Sequence, residues 1–203
     1  MTGPTHKLYS VCFAYITAIL FFKLGLSEIN YYLTIPILLA TAKYGAEFPD
    51  VDHHWGNVHN KTVVNKIINV FIHITGGKHR SWQTHSLDIY VLFTFIVIIV
   101  PTRLCNEGLI STVNAEVMKL LFLGFSSGWL SHLFSDSLTS EGIRLLCWNR
   151  KMKIKFVPKK IGKLRFNTGN EWEKFNYTLM KYINIALGLV CILYPLVEKM
   201  LLN

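Results

Sequence analysis

His132 and Asp136 stand four residues apart near the end of an apolar run, Val117 to Phe134. On a helix these positions share a face, so an imidazole and a carboxylate lie side by side, and both are ligand types for divalent metals. An aspartate in mid-bilayer costs about 2.5 to 3.5 kcal/mol on insertion scales, so it persists where it faces a cavity, a partner or an ion. Metal binding, at about 10 to 16 kcal/mol for structural zinc, would outweigh that cost more comfortably than a lone salt bridge.

Four further polar clusters punctuate the apolar stretches: His6, before the first; F-P-D-V-D-H-H, Phe48 to His54, after the second; G-G-K-H-R-S-W-Q-T-H-S, Gly76 to Ser86, before the third; and T-G-N-E-W-E, Thr168 to Glu173, before the last. Asp50, Asp52, His53, His79, His85, His132 and Asp136 offer more ligands than one ion needs. Two ions about 3.5 to 4 Å apart, clamping the attacking and leaving oxygens of a hydrolysis, would use them better. Each cluster alone has a structural reading. P-D-V-D suits a helix N-cap after a proline turn, His79 and Arg80 suit interfacial cations, and His132 with Asp136 suits an intramembrane hydrogen-bonded pair. Their gathering at one rim favours a shared site.

The rim follows from the elements that must carry these residues. The chain has 203 residues, 51 % of them hydrophobic and only 16 % charged. Its mean hydropathy is positive, unusual for a soluble protein of this size. Five apolar stretches account for this: Leu8 to Leu26, Tyr31 to Ala46, Ser86 to Pro101, Val117 to Ser135 and Thr178 to Leu196. A span needs about 20 residues, so the first, fourth and fifth qualify best and the other two are short. Buried helices of a soluble core are the alternative for those two. The first stretch follows Lys7 as a signal peptide would, but it lacks a small-x-small cleavage site, which predicts an uncleaved span.

Charge orients the spans. Ten of the 21 Lys and Arg fall between Ser137 and Tyr177, which makes that loop cytoplasmic by the positive-inside rule. Counting back places the N-terminus and Glu47 to His85 on the same side. The outer loops, Ser27 to Asn30 and Thr102 to Glu116, then hold Arg103 against Glu28, Glu107 and Glu116. All five polar clusters fall on the cytoplasmic side, an outcome independent of the Lys and Arg distribution. Within the basic loop, Lys151 to Phe156 and Lys163 to Phe166 alternate basic and apolar residues, with Pro158 and Gly162 between them. That pattern predicts a hairpin on the membrane surface whose lysines meet anionic head groups. Topology already accounts for the charge, so nucleic acid is not an expected partner. Four scattered cysteines, Cys12, Cys105, Cys147 and Cys191, suggest neither a disulfide framework nor a cysteine zinc site.

At its polar clusters the chain resembles the YdjM-like inner-membrane metal-dependent hydrolases, also described as LexA-regulated membrane-bound hydrolases. The likeness runs through His6; Pro49, Asp50, Val51, Asp52 and His53; His79, Arg80, Thr84, His85 and Ser86; Gly128, Leu130, Ser131, His132, Asp136, Thr139 and Gly142; and Gly169, Asn170 and Glu173. Five elements in the family's order cover nearly the whole chain. Two departures stand out: one extra residue between Arg80 and Thr84, which sets His79 and His85 six apart, and Cys147-Trp148 where the family tends to have tryptophan-proline. A looser likeness is to zinc-dependent phospholipase C and nucleases of its helical fold, which also carry an N-terminal ligand, Asp, His and H-x-x-x-D along the chain. It implies a phosphate ester as substrate.

The expectation is therefore a single all-α domain over residues 1–203, a multi-span helical membrane protein of about five apolar helices with a small basic hairpin before the last. The resemblance implies a bacterial inner-membrane hydrolase using a divalent metal, most simply zinc, with room for two ions, acting on a phosphate ester or a lipid-borne ester. Asp50, Asp52, His53, His85, His132 and Asp136 would bind metal, with His6 and His79 as further ligands. Arg80 would neutralise charge developing on the substrate, and Glu173 would bind metal or act as general base. The alternative is a non-catalytic membrane protein, a metal carrier or scaffold, built on the same ligands.

Overall fold

The computed structural model describes residues 1–25, 29–52, 62–77, 80–157, 167 and 169–202. Helices α1 (Gly3–Lys23), α2 (Tyr31–Glu47), α5 (Leu87–Asn106), α6 (Thr112–Ser137) and α7 (Glu171–Leu202) carry the five apolar stretches. Four of them, all but α2, are long and apolar enough to cross a membrane. At 17 residues α2 extends about 26 Å, short of a hydrocarbon core of about 30 Å. Its start is set by Asn30, whose side chain accepts the Tyr32 backbone N–H at 2.9 Å. Shorter pieces complete the chain: a 3-10 turn at Phe48–Asp52, α3 (Val63–Ile74), α4 (Trp82–His85), and strands β1 (Ile143–Arg144) and β2 (Lys153–Ile154).

The central helix is α6, packed between α1, α2 and α5. Its crossing with α2 is close because Gly124 and Gly128 leave room for a neighbouring backbone. A Cβ on Gly124 would run into Thr41 Oγ1, and one on Gly128 into the Ala42 carbonyl. In lipid, where apolar burial alone gives no reason for helices to associate, such small-xxx-small surfaces let packing hold them. The α6 serines facing this core are satisfied within their own helix: Ser127, Ser131 and Ser135 donate to the carbonyls three residues back, at 2.7 to 2.9 Å. The opposite surfaces are apolar and open. Between Leu87 and Asn106 only Val97 and Pro101 are buried, and Tyr182, Ile185 and Leu189 of α7 are exposed, as suits lipid contact.

The hairpin before the last helix is present. Its strand Lys153–Ile154 pairs antiparallel with Ile143–Arg144, so the partner comes from the segment just after α6. The expected partner stretch, Lys163 to Phe166, lies outside the described residues, as do His53 and His79. Besides the short α4, the helix α3 was not anticipated. In α3, Val63, Ile67, Val70, Phe71 and Ile74 form an outward apolar stripe, while Asn65 and Asn69 point inward and are buried. The asparagines interrupt what would otherwise read as an apolar stretch.

Candidate metal centre

The ends of five elements meet at one rim. Lys7 Nζ lies 2.5 Å from Glu47 Oε1, which places the start of α1 beside the end of α2. The 3-10 turn after α2, the short α4 before α5 and the last two turns of α6 close on the same point. His6, Asp52, His85, His132 and Asp136 are buried there, and Asp50 is partly exposed.

Asp136 is the hub. Its carboxylate stands 3.6 Å from His6 Nε2, 3.8 Å from His85 Nε2 and 3.7 Å from His132 Nε2. Asp50 Oδ1 is 3.8 Å from His132 Nε2. The His6 and His132 rings stack in parallel at 3.9 Å, and His85 meets His132 edge to face at 5.3 Å. Two ligand groups result, His6 with His132 and Asp136, and Asp50 with His85 and His132; within each, the ligand atoms lie within 4.8 Å of one another.

The hydrogen bonds behind the rings decide which nitrogen faces inward. His132 Nδ1 donates to the Ala46 carbonyl at 2.7 Å, because a carbonyl can only accept. Ser135 gives its proton to the His132 carbonyl, so its oxygen accepts from His6 Nδ1 at 2.6 Å. Thr84 gives its proton to Asp52 Oδ2 at 2.9 Å and accepts from His85 Nδ1, also at 2.9 Å. With every Nδ1 holding a proton, each neutral ring turns a lone pair on Nε2 toward Asp136. Three lone pairs and carboxylate oxygens crowd into one buried space, edged by two cations, the Met1 ammonium 3.6 Å from Asp136 Oδ1 and the Arg80 guanidinium. Among the described residues, His132 Nε2 and Asp136 Oδ1 are buried without a hydrogen-bond partner. Such orphaned acceptors, and an all-N,O donor set, fit a divalent metal such as zinc.

Asp52 takes a different place from the converging atoms. Its Oδ2 accepts the Ser81 backbone N–H at 2.7 Å as well as Thr84, and lies 3.5 Å from His85 Nδ1. It stands behind His85, the usual position of a carboxylate that orients a ligand histidine. Burial alone would lower the His85 pKa. The hydrogen bond and charge of Asp52, joined by Asp136 and Asp50, outweigh burial and raise it above the ordinary imidazole value.

Arg80 reaches the hub directly, with Nη2 3.2 Å from Asp136 Oδ2 and Nη1 3.0 Å from Glu141 Oε2. Its backbone sits at φ 57°, a left-handed conformation rare for a side-chain-bearing residue and typical of positions where geometry serves a site. Glu173 is engaged elsewhere. Oε1 accepts from the Thr2 backbone N–H and from the Thr2 and Thr5 hydroxyls at 2.5 to 3.0 Å, and Oε2 from the Gly169 N–H at 2.7 Å. It thereby ties the first turn of α1, which carries His6, to α7. Ser135, Ala46 and Glu141 were missed in the sequence. Ser135 alone had a signal, its place three residues after His132 on the same helix face.

The model of the YdjM inner membrane protein family matches residues 1–199. The chain belongs to that family. No curated protein and no solved structure matches it. In this YdjM-family chain four of the five elements that carry the resemblance, His6, P-D-V-D, R-S-W-Q-T-H-S and S-H-L-F-S-D, converge on one buried centre, apart from the two histidines outside the described residues, whereas Gly169, Asn170 and Glu173 brace α1 against α7. The YdjM match also agrees with the four candidate spans in making this an inner-membrane protein.

Proposed function

We infer that the protein is a membrane-bound, metal-dependent hydrolase of a phosphate ester carried by a lipid, with its site at the cytoplasmic face. The observation that supports it best is the convergence of three Nε2 lone pairs on Asp136, each set by a proton on Nδ1. His6, His132 and Asp136 would hold one ion, and Asp50 and His85, sharing His132, a second. His53 and His79 remain proposed ligands on the family resemblance. A divalent ion such as zinc, held by these residues, would supply Lewis acidity toward a phosphoryl oxygen and lower the pKa of a water.

The chain's own residues do the rest. Arg80, at the more open edge of the centre, pairs with an anionic phosphoryl group once its hold on Asp136 is relaxed, and its planar fork suits two oxygens at once. Asp52 and Thr84 hold His85 in its tautomer. Asp50, partly exposed, faces the side from which a substrate and its water arrive. The basic excess between Ser137 and Tyr177 supports the cytoplasmic orientation and contact with anionic head groups.

Purified protein, assayed for bound metal and incubated with a panel of phospholipids and soluble phosphodiesters, tests this reading. Expected are at least one tightly held ion, lost when His132→Ala is combined with Asp136→Ala, and metal-dependent turnover abolished by Asp136→Asn. Stoichiometric metal in the double variant would overturn the site. Bound metal with no turnover of any ester would point to a carrier or scaffold instead.

A further inference from the structure

Between α2, α3, α5 and α6 lies a cavity of about 520 Å³, within the range of ligand pockets. Its walls include Ala40, Tyr44 and Phe48 of the α2 side, Phe93 of α5, and Leu121 and Phe125 of α6. Two of those walls, α5 and α6, are candidate spans, which argues for a cavity opening to the hydrocarbon. Its few polar groups already have partners: Thr41 Oγ1 donates to the Ile37 carbonyl at 2.8 Å, and Tyr44 Oη to Asn65 Oδ1 at 2.9 Å. What the cavity presents to an occupant is therefore aliphatic and aromatic surface.

Its position relative to the metal centre is specific. Phe125 precedes His132 by seven residues on α6, about 10 Å along the axis. At the other end Phe48, whose ring packs on Trp129 and Phe125 at 4.9 and 5.1 Å, begins the 3-10 turn that carries Asp50 two residues later. An elongated apolar group lying along α2 thus ends against the Phe48 ring, at the turn that carries Asp50. A further wall is α3, through Asn65 and Ile68, and it is linked to that same turn by the Asn69 side-chain N–H donating to the Val51 carbonyl at 2.7 Å. With its apolar stripe outward and its asparagines inward, α3 suits a helix lying in the membrane interface.

We propose that this cavity seats one hydrocarbon chain of the membrane lipid whose head-group phosphate ester reaches the metal centre. The fate of the head group rests on the hydrolase reading above; the seating of the chain does not. A chain moving from bilayer to cavity exchanges one apolar medium for another, so little affinity comes from the transfer itself. The cavity instead sets register, holding the ester at a fixed height beside Asp50 and Arg80, which is positioning of the kind that accelerates a reaction.

The test uses the full chain in nanodiscs of phosphatidylglycerol containing a trace of phosphatidylglycerol with a photoreactive acyl chain. Peptides bearing Tyr44, Phe48, Phe93 and Phe122 should label about fivefold more than those bearing Tyr182 and Ile185 of α7, because a seated chain has most of its surface against protein. Ala40→Trp with Leu121→Trp, which fill the cavity from its lipid-facing side, should bring that labelling down to the α7 level while an unchanged thermal midpoint shows the fold intact. Equal labelling of both sets in the wild type, or labelling unchanged by the filling variants, overturns the proposal. His132→Ala with Asp136→Ala separates the two readings. Labelling that persists in this metal-free variant supports the cavity even if no ester is ever turned over, whereas labelling lost with the metal overturns the cavity as an independent seat.

Discussion

Ser135 stands between two histidines, accepting from His6 Nδ1 at 2.6 Å while donating to the His132 carbonyl at 2.9 Å. One hydroxyl thereby fixes the tautomer of a ring on another helix, and joins α1 to α6 at the centre. Ser135→Ala should leave the fold intact, since the buried carbonyl it releases keeps its helical bond. Outer partners of ligand histidines typically contribute about 10- to 100-fold in metal affinity. Metal titration of the variant should show a loss of that order, and unchanged affinity would remove Ser135 from the site.

Metal removal should destabilise the protein. An ion that binds only the folded state contributes about 2.7 kcal/mol when its free concentration is a hundred times its Kd. Chelation should lower the thermal midpoint in detergent, and zinc should restore it. His132→Ala with Asp136→Ala should show neither response.

Metal affinity should depend on pH through His85. A proton on this imidazole competes with the metal, and Asp52, Asp136 and Asp50 hold the proton more strongly than an ordinary histidine does. Because the pKa of the metal-free protein is raised, affinity should begin to fall at a higher pH than the usual value of about 6.5 would give. Asp52→Asn removes the largest of the charges that raise it and should move this fall to lower pH. The measurement is metal affinity from pH 5 to 8.

Glu173 holds Thr2, Thr5 and Gly169 rather than a histidine, so its replacement discriminates between two roles. If it positions α1, Glu173→Gln should weaken metal binding and lower the thermal midpoint together, and Thr5→Val should do the same more mildly. A loss of turnover with metal affinity and stability unchanged would identify it as a general base.

The α2–α6 crossing should tolerate little. Gly128→Ala places a Cβ against the Ala42 backbone, which cannot move aside as a side chain would. Overpacking costs typically about 1 to 3 kcal/mol, and the upper end is expected here. The thermal midpoint of the purified variant is the readout.

Much of this protein was legible in its sequence. Long apolar stretches are a strong signal because a bilayer demands that about 20 residues satisfy every backbone group internally. Four of the five became helices of spanning length, and α2 became a helix of 17 residues. His6, Asp50, His85, His132 and Asp136 could be named because polar residues beside such stretches are costly and stand out. α3 could not, because its two inward asparagines break the apolar pattern and its stripe faces outward, against the rule for soluble helices.

Residue types, their spacing and the apolar lengths determined the helical membrane fold and the His and Asp side chains gathered at one end of its apolar helices. Tertiary structure decided which atoms meet. It set His132 Nδ1 on the Ala46 carbonyl and His6 Nδ1 on Ser135, placed Asp52 behind His85, and sent Glu173 to the first turn of α1. These partners are up to 171 residues apart in the chain, and local sequence carries no record of a contact formed only when helices pack side by side.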